Sequence, residues 1–241
     1  MPSRTAVEEP AGGATPGQIP EAGKKSARKG SGSLDDLART ALKAFLIARD
    51  AASNVPDLFT SSSRMAFLAI KECEQELDVI ERYIDERLPA AITRVNEARA
   101  RQLLTSLKST TDLERIGDLV MSMAMRVQSR SAKMAASDVR QLVEMAAILR
   151  EMLDLVYRGY VDLDLERARK VLQMDKDIDR VCHALFQKHL TAESDPSSFE
   201  VLLMAQALER AGDHTTNLAE DLYSLIEGRS LRHAPKKRAA T

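Results

Sequence analysis

The chain has 241 residues, with 35 Lys+Arg against 36 Asp+Glu, a formal net charge of −1, 4% aromatic residues and no Trp. So few aromatics, with only 10 Gly and 8 Pro, exclude a sheet-rich fold. The abundance of Ala, Leu, Met, Glu, Lys and Arg predicts an all-α protein. Two cysteines without a CxxC exclude a disulfide framework and a Cys-rich zinc site, and suit a reducing cytoplasm.

Residues 1–33 read as a disordered tail, because they contain four Pro and six Gly and almost no large apolar side chain. A first helix is predicted over Leu34 to Ser53, with Leu37, Ala41, Ala44, Phe45 and Ala48 on one face and Ser33 as its N-cap. A second is predicted over Ser62 to Leu88, stopped by Pro89. A third runs from Asn96 to Ser131. A fourth runs from Ser137 to Tyr160 behind a Ser137-Asp138 cap, and a fifth from Asp162 to Leu190. A sixth follows the Asp195-Pro196 break and ends near Gly228. Residues 229–241 form a short basic tail. No stretch of about 18 apolar residues and no apolar leader is present, so a cytoplasmic protein is expected.

Charge is partitioned along the chain. Residues 1–33 carry +2 and residues 228–241 carry +5 of the total of −1, leaving −8 on the helical part. An acidic body with diluted Lys and Arg does not suit nucleic-acid binding, which needs a clustered basic face.

The third and sixth helices share a string. Leu113-Glu114-Arg115-Ile116-Gly117-Asp118 matches Leu208-Glu209-Arg210-Ala211-Gly212-Asp213 in five of six positions. This repeat predicts two tandem three-helix bundles, residues 34–133 and 134–228. One helix upstream of each string lies a second acid-x-x-x-Asp pair, Glu74/Asp78 and Asp175/Asp179. Neighbouring Glu72, Glu76 and Asp177 leave the register of these pairs open.

Acids at i and i+4 share one helix face and repel by about 0.2–0.5 kcal/mol. Composition alone supplies roughly four or five such pairs, so a single one says little. Recurrence in matching helices points instead to four carboxylates converging from two helices in each half. Such a cluster calls for a cation, and its oxygens suit Mg, Ca, Mn, iron or zinc. A glycine in a helix interior costs about 1 kcal/mol relative to Ala. One in each string implies close approach of a neighbouring helix or a metal shell. Cys73 and Cys182, and Met121, Met123, Met125, Met145 and Met152, read as core residues.

At these residues the chain resembles the PhoU family of phosphate-uptake regulators. The run Leu208 to Asp221 is similar to that family's C-terminal signature, and Leu113 to Asp118 to its N-terminal counterpart. The resemblance spans Leu34 to Gly228. Asn96 to Gln102, which opens the third helix, and the link before it, Ala90 to Val95, depart from the family's pattern, so the second half matches better. The resemblance implies two three-helix bundles carrying metal clusters on Glu74, Asp78, Glu114, Asp118, Asp175, Asp179, Glu209 and Asp213. The expected cofactors are divalent or iron-type metal ions (Fe, Zn, Mn or Mg). It further implies a cytoplasmic homodimer that contacts a phosphate ABC transporter and a sensor histidine kinase, and represses the phosphate-starvation response.

Two other functions compete. A helical scaffold would carry no stoichiometric metal. A carboxylate-bridged metalloenzyme would use Glu-x-x-His pairs, and none of His183, His189, His214 and His233 follows a Glu at that spacing. No phosphate-binding Gly loop or nucleophile motif appears either, so no enzyme activity is expected.

Overall fold

A computed structural model describes the backbone of residues 22–130, 133–190 and 196–228, and side chains from Asp35 onward. The described residues form six helices and no strand. They are α1 (Ala22–Ser61), α2 (Arg64–Ile92), α3 (Glu97–Ser129), α4 (Ala136–Asp162), α5 (Leu165–Leu190) and α6 (Pro196–Glu227). The first three pack on one another, as do the last three. The all-α expectation and the paired three-helix arrangement are both observed.

Several expected ends differ. The helix predicted from Leu34 begins at Ala22 and absorbs Ser33, which is therefore not a cap. Residues 22–33 hold Ala22, Lys24, Lys25, Ala27, Arg28 and Lys29, all good helix formers. Extending an existing helix avoids the nucleation cost, so their glycines do not stop it. The rest of the predicted N-terminal tail, residues 1–21, and the basic tail, residues 229–241, lie outside the described residues. At its other end α1 passes through Pro56 to Ser61, and α2 passes through Pro89 to Ile92. Each proline deletes one backbone bond near a helix end, where few turns remain to be disrupted.

Ser63 caps α2 by accepting from the Ala66 N–H, and Asn96 caps α3 by accepting from the Arg99 N–H. The expected Ser137-Asp138 cap is not formed. α4 starts from Ala135, which has no capping side chain, and Asp138 is buried and bound by Lys188. The ends of α4 and α6 use positive φ, at Leu163 (52°) and Gly228 (71°).

The core is continuous across both halves. α1 and α2 run antiparallel, with Lys43 paired to Glu76 and the Tyr83 hydroxyl donating to Asp36. The halves join along two contacts, α1 on α4 and α3 on α6. At the first, the Phe45 and Tyr160 rings lie 4.9 Å apart and Arg49 meets Asp154 at 3.5 Å. The second is antiparallel. Arg101 Nη1 donates to the Gly228 carbonyl at 3.0 Å, and Arg126 Nη1 lies 3.4 Å from Glu200. Small residues let α1 sit among three neighbours: Ala41, Ala44, Ala48, Ala51 and Ala52 are all buried.

Candidate metal centre

The repeated acids lie where helices pair. Glu74 and Asp78 are one turn apart on α2, and Glu114 and Asp118 one turn apart on α3, the helix that packs beside it. One ligand oxygen each from Glu74, Asp78 and Asp118 lie within 4.8 Å of one another, the spacing of ligands around a shared cation. Among the described residues this is the group that converges so closely. Glu114 stands beside it. Its carboxyl is pushed up to about 7 by burial, then by Asp118, against the pull of Arg115. Its Oε2 is buried without a hydrogen bond, although Arg115 Nε lies 3.4 Å away. Four carboxylates at one helix pair, faced by the single guanidinium of Arg115, fit an added cation.

The glycines explain how the helices come so near. A Cβ on Gly117 would lie 2.7 Å from Leu77 Cδ1 and 3.8 Å from Glu74 Cα. A Cβ on Gly212 would lie 3.1 Å from Ile178 Cδ1 and 3.6 Å from Asp175 Oδ1. In both halves the glycine lets the acid-bearing helices close at the level of the acids. Gly117→Ala is expected to destabilise by about 1–2 kcal/mol, because displacing buried Leu77 outweighs the better helix propensity. Gly212→Ala is expected to be within about 0.5 kcal/mol of wild type, since Ile178 Cδ1 needs to move only slightly. Urea denaturation of the two variants measures the contrast, and equal costs would contradict this account of the glycines.

The second quartet is built the same way but is more open. Asp175 on α5 is pushed up to about 6 by burial, then by Asp179 and Asp213. Glu209 on α6 is raised by burial and then by Asp213, Asp179 and Asp175, and Asp213 by burial and then by Asp179. Asp179 and Asp213 are exposed. The four acids therefore share one field, yet they do not converge within 4.8 Å as the first trio does. The family resemblance is stronger in the second half, whereas the tighter geometry is in the first.

The open register is resolved by contacts. Glu76 turns to Lys43 on α1 and Asp177 to Arg180, which leaves Glu74/Asp78 and Asp175/Asp179 facing the partner helices. Arg115 pairs with Glu114 and Asp118, at 3.4 and 3.5 Å. One contributor was missed: Glu81 raises Glu114 from three residues beyond Asp78, on the same face of α2. Counting from Asp179 in the second half, the same place holds Cys182. That offset was legible, because it extends each repeated pair by one turn.

Cys182 is buried as expected, but Cys73 is only half-buried. Burial, followed by nearby acids, pushes both thiols up to about 11, so both are neutral thiols near pH 7. Met121, Met123, Met145 and Met152 are core residues, but Met125 is exposed. His214 does not enter the second quartet. Its Nδ1 meets Asp112 Oδ1 at 2.8 Å, where Asn217 Nδ2 also donates at 3.2 Å. Asp112 on α3 and His214 on α6 thus link the helices that carry the two glycine strings.

These features define a class: an all-α protein of paired three-helix bundles, each with a carboxylate quartet at a glycine-tightened helix pair. The PhoU domain matches residues 34–127 and 142–222, and the chain belongs to the PhoU family. It is 31% identical over 189 residues to a Rhizobium meliloti protein named phosphate-specific transport system accessory protein PhoU homolog, covering 73% of this chain and 78% of that one. A Pseudomonas putida protein of the same name is 29% identical over 181 residues, covering 70% and 69%. The fold matches the crystal structure of PhoU from Pseudomonas aeruginosa with a TM-score of 0.74 at 22% identity, over 83% of this chain and 99% of that one. It also matches the phosphate transport system regulatory protein PhoU from Streptococcus pneumoniae, with a TM-score of 0.76 at 21% identity over 84% and 99%.

Proposed function

We propose that this chain is a metal-binding regulatory adaptor of phosphate uptake. The family membership and the names of its relatives support a role in regulating a phosphate transport system. The observation that carries the metal reading is the convergence of Glu74, Asp78 and Asp118 beside the half-buried Glu114 carboxylate. Glu74, Asp78, Glu114 and Asp118 would hold one centre, and Asp175, Asp179, Glu209 and Asp213 the other. The bound ion supplies positive charge that relieves carboxylate repulsion. The chain's own acids then cross-link α2 to α3 and α5 to α6, fixing the surface presented to partners. The donors are all oxygen, which suits Mg, Mn, Fe or Zn.

The adaptor acts by protein contact, without turnover. Its partners are components of a phosphate ABC transporter and a sensor histidine kinase, and it works as a cytoplasmic homodimer that represses the starvation response. Among the described residues no helix is long and apolar enough to cross a membrane. The acidic helical body supports a protein partner over nucleic acid.

Elemental analysis after chelator-free purification tests the metal reading. The wild type is expected to carry stoichiometric metal and the double variant Asp118→Ala/Asp213→Ala to lose most of it. A wild type that stays metal-free after reconstitution with iron, zinc, manganese and magnesium would overturn the reading in favour of a scaffold. Pull-down of transporter and kinase components by the loaded and stripped protein tests the partners.

A further inference from the structure

Two distant parts of the chain leave the fold at one pole. Asp35, where the described side chains of α1 begin, pairs with Arg99 in the first turn of α3. The Gly228 carbonyl, just after α6, accepts from Arg101 Nη1, two residues further along α3, at 3.0 Å. The residues before Asp35 and those after Gly228 therefore join the body within one turn of the same helix.

Both of these segments are basic. Residues 22–33 hold Lys24, Lys25, Arg28 and Lys29, residues 229–241 hold Arg229, Arg232, Lys236, Lys237 and Arg238, and neither segment contains an acid. The backbone of α1 is helical from Ala22, so positions 24 and 28, and 25 and 29, stand one turn apart. At 1.5 Å per residue they lie about 9–17 Å along the helix beyond Asp35. Glu8, Glu9 and Glu21 are already counted in the +2 of residues 1–33, which adds to the +5 of residues 228–241. Acids of the body at this pole are matched by its own arginines: Asp36 by Arg39, Glu97 by Arg101, Asp162 and Asp164 by Arg167, and Glu166 by Arg169. Asp85, Glu86 and Glu227, near the same ends of α2 and α6, are too few to offset the nine Lys and Arg of the two segments. A positive pole thus stands on a helical body of charge −8.

We propose that this pole docks on an anionic lipid surface, with residues 22–33 and 229–241 contacting the headgroup phosphates together. Clusters of Lys and Arg are drawn to such a surface. Two clusters held by one fold bind it more tightly than either alone, because the first contact raises the effective concentration of the second. A bilayer meets one end of the molecule and leaves its acidic sides beyond the Debye length of about 8 Å. Nucleic acid fits less well, since neither segment has a Phe, Tyr or Trp to stack on a base. The inference goes beyond the adaptor reading and does not depend on it, because no quartet residue and no transporter component takes part.

Flotation of the full chain with vesicles tests this, using phosphatidylcholine alone or mixed with phosphatidylglycerol, with chelator present. The chain is expected to bind the mixed vesicles in low salt, to be released by high salt, and to ignore pure phosphatidylcholine. The set Lys24→Gln, Lys25→Gln, Arg28→Gln and Lys29→Gln, and the set Lys236→Gln, Lys237→Gln and Arg238→Gln, are each expected to weaken binding at least tenfold, and together to abolish it. Lys176→Gln, in a groove midway along α5, is expected to leave it unchanged. Failure of the wild type to bind the mixed vesicles would overturn the proposal. So would equal binding to pure phosphatidylcholine, binding that survives the combined substitutions, or a loss carried by one segment alone. Tighter binding to duplex DNA than to the mixed vesicles would overturn it in favour of nucleic acid. Circular dichroism of the variants confirms that their fold is intact.

Discussion

In the presence of chelator, the protein is expected to lose about 1–3 kcal/mol of stability between pH 5 and pH 8, after allowing for solvent at the open side of the cluster. Glu114 carries most of this. In the fold its carboxyl titrates near 7, above the ordinary 4.5, because burial and then Asp118 disfavour its charge. A raised carboxyl favours the folded state while it is protonated. Its contribution is fully present below the ordinary value and is gone once the pH has risen through the folded one. Asp175 adds a lower window of the same sign, from the ordinary 3.8 to about 6. Glu74, Glu209 and Asp213 are raised as well and reinforce the trend.

Glu114→Gln separates this cost from everything else. With chelator at pH 8 the variant is expected to be more stable than wild type, because it has no buried charge to form. At pH 5 the two are expected to be close. Adding the native metal at pH 8 is expected to reverse the order, since a cation repays the carboxylate but not the amide. Urea denaturation at the two pH values, with and without metal, reads all of this. A chelated wild type whose stability is flat across the range would contradict the electrostatics described for the quartets.

Phe45→Ala is expected to be the most damaging single truncation at the junction of the halves, costing about 3–5 kcal/mol. Phe45 is 1% exposed and packs on Tyr160, so removing its ring opens a cavity between α1 and α4. Tyr160 ties in two more helices. Its oxygen accepts from Ser109 Oγ on α3 and donates to the Leu218 carbonyl on α6, each at 3.1 Å. Tyr160→Phe is expected to cost about 1–2 kcal/mol, leaving both of those groups without this partner. With total stabilities of about 5–15 kcal/mol usual for a domain, the Phe45 loss is a large share. Because the core is continuous, wild type is expected to unfold in one transition monitored by denaturant. Two separate transitions, or a Phe45→Ala cost below about 1 kcal/mol, would show that the halves are independent.

Much of this protein was legible from its residues alone. Leu37, Ala41, Ala44, Phe45 and Ala48 recur at helical spacing, and all five are buried. The paired Leu-Glu-Arg-x-Gly-Asp strings announced two equivalent halves, and their glycines announced close helix contacts. These signals are local: i, i+4 geometry is fixed by the helix itself and needs no tertiary partner. Helix ends were less legible, as at Ala22, Pro56 and Pro89. Whether a helix continues depends on the turns already formed and on what its end packs against.

What only the tertiary structure decided is how the helices stand against one another. It turned Glu76 toward Lys43 on α1 and brought Glu74 and Asp78 to Asp118 on α3. It brought Glu81 to Glu114 and Asp112 to His214, pairs that no spacing along the chain connects. It gathered Arg130, Lys133 and Arg140 around one cavity where α1, α3 and α4 meet. Periodicity states which side chains share a face. Which faces meet, and at what height along the axes, is set by packing: small residues such as Gly117 and Gly212 let the acid-bearing helices of each half close.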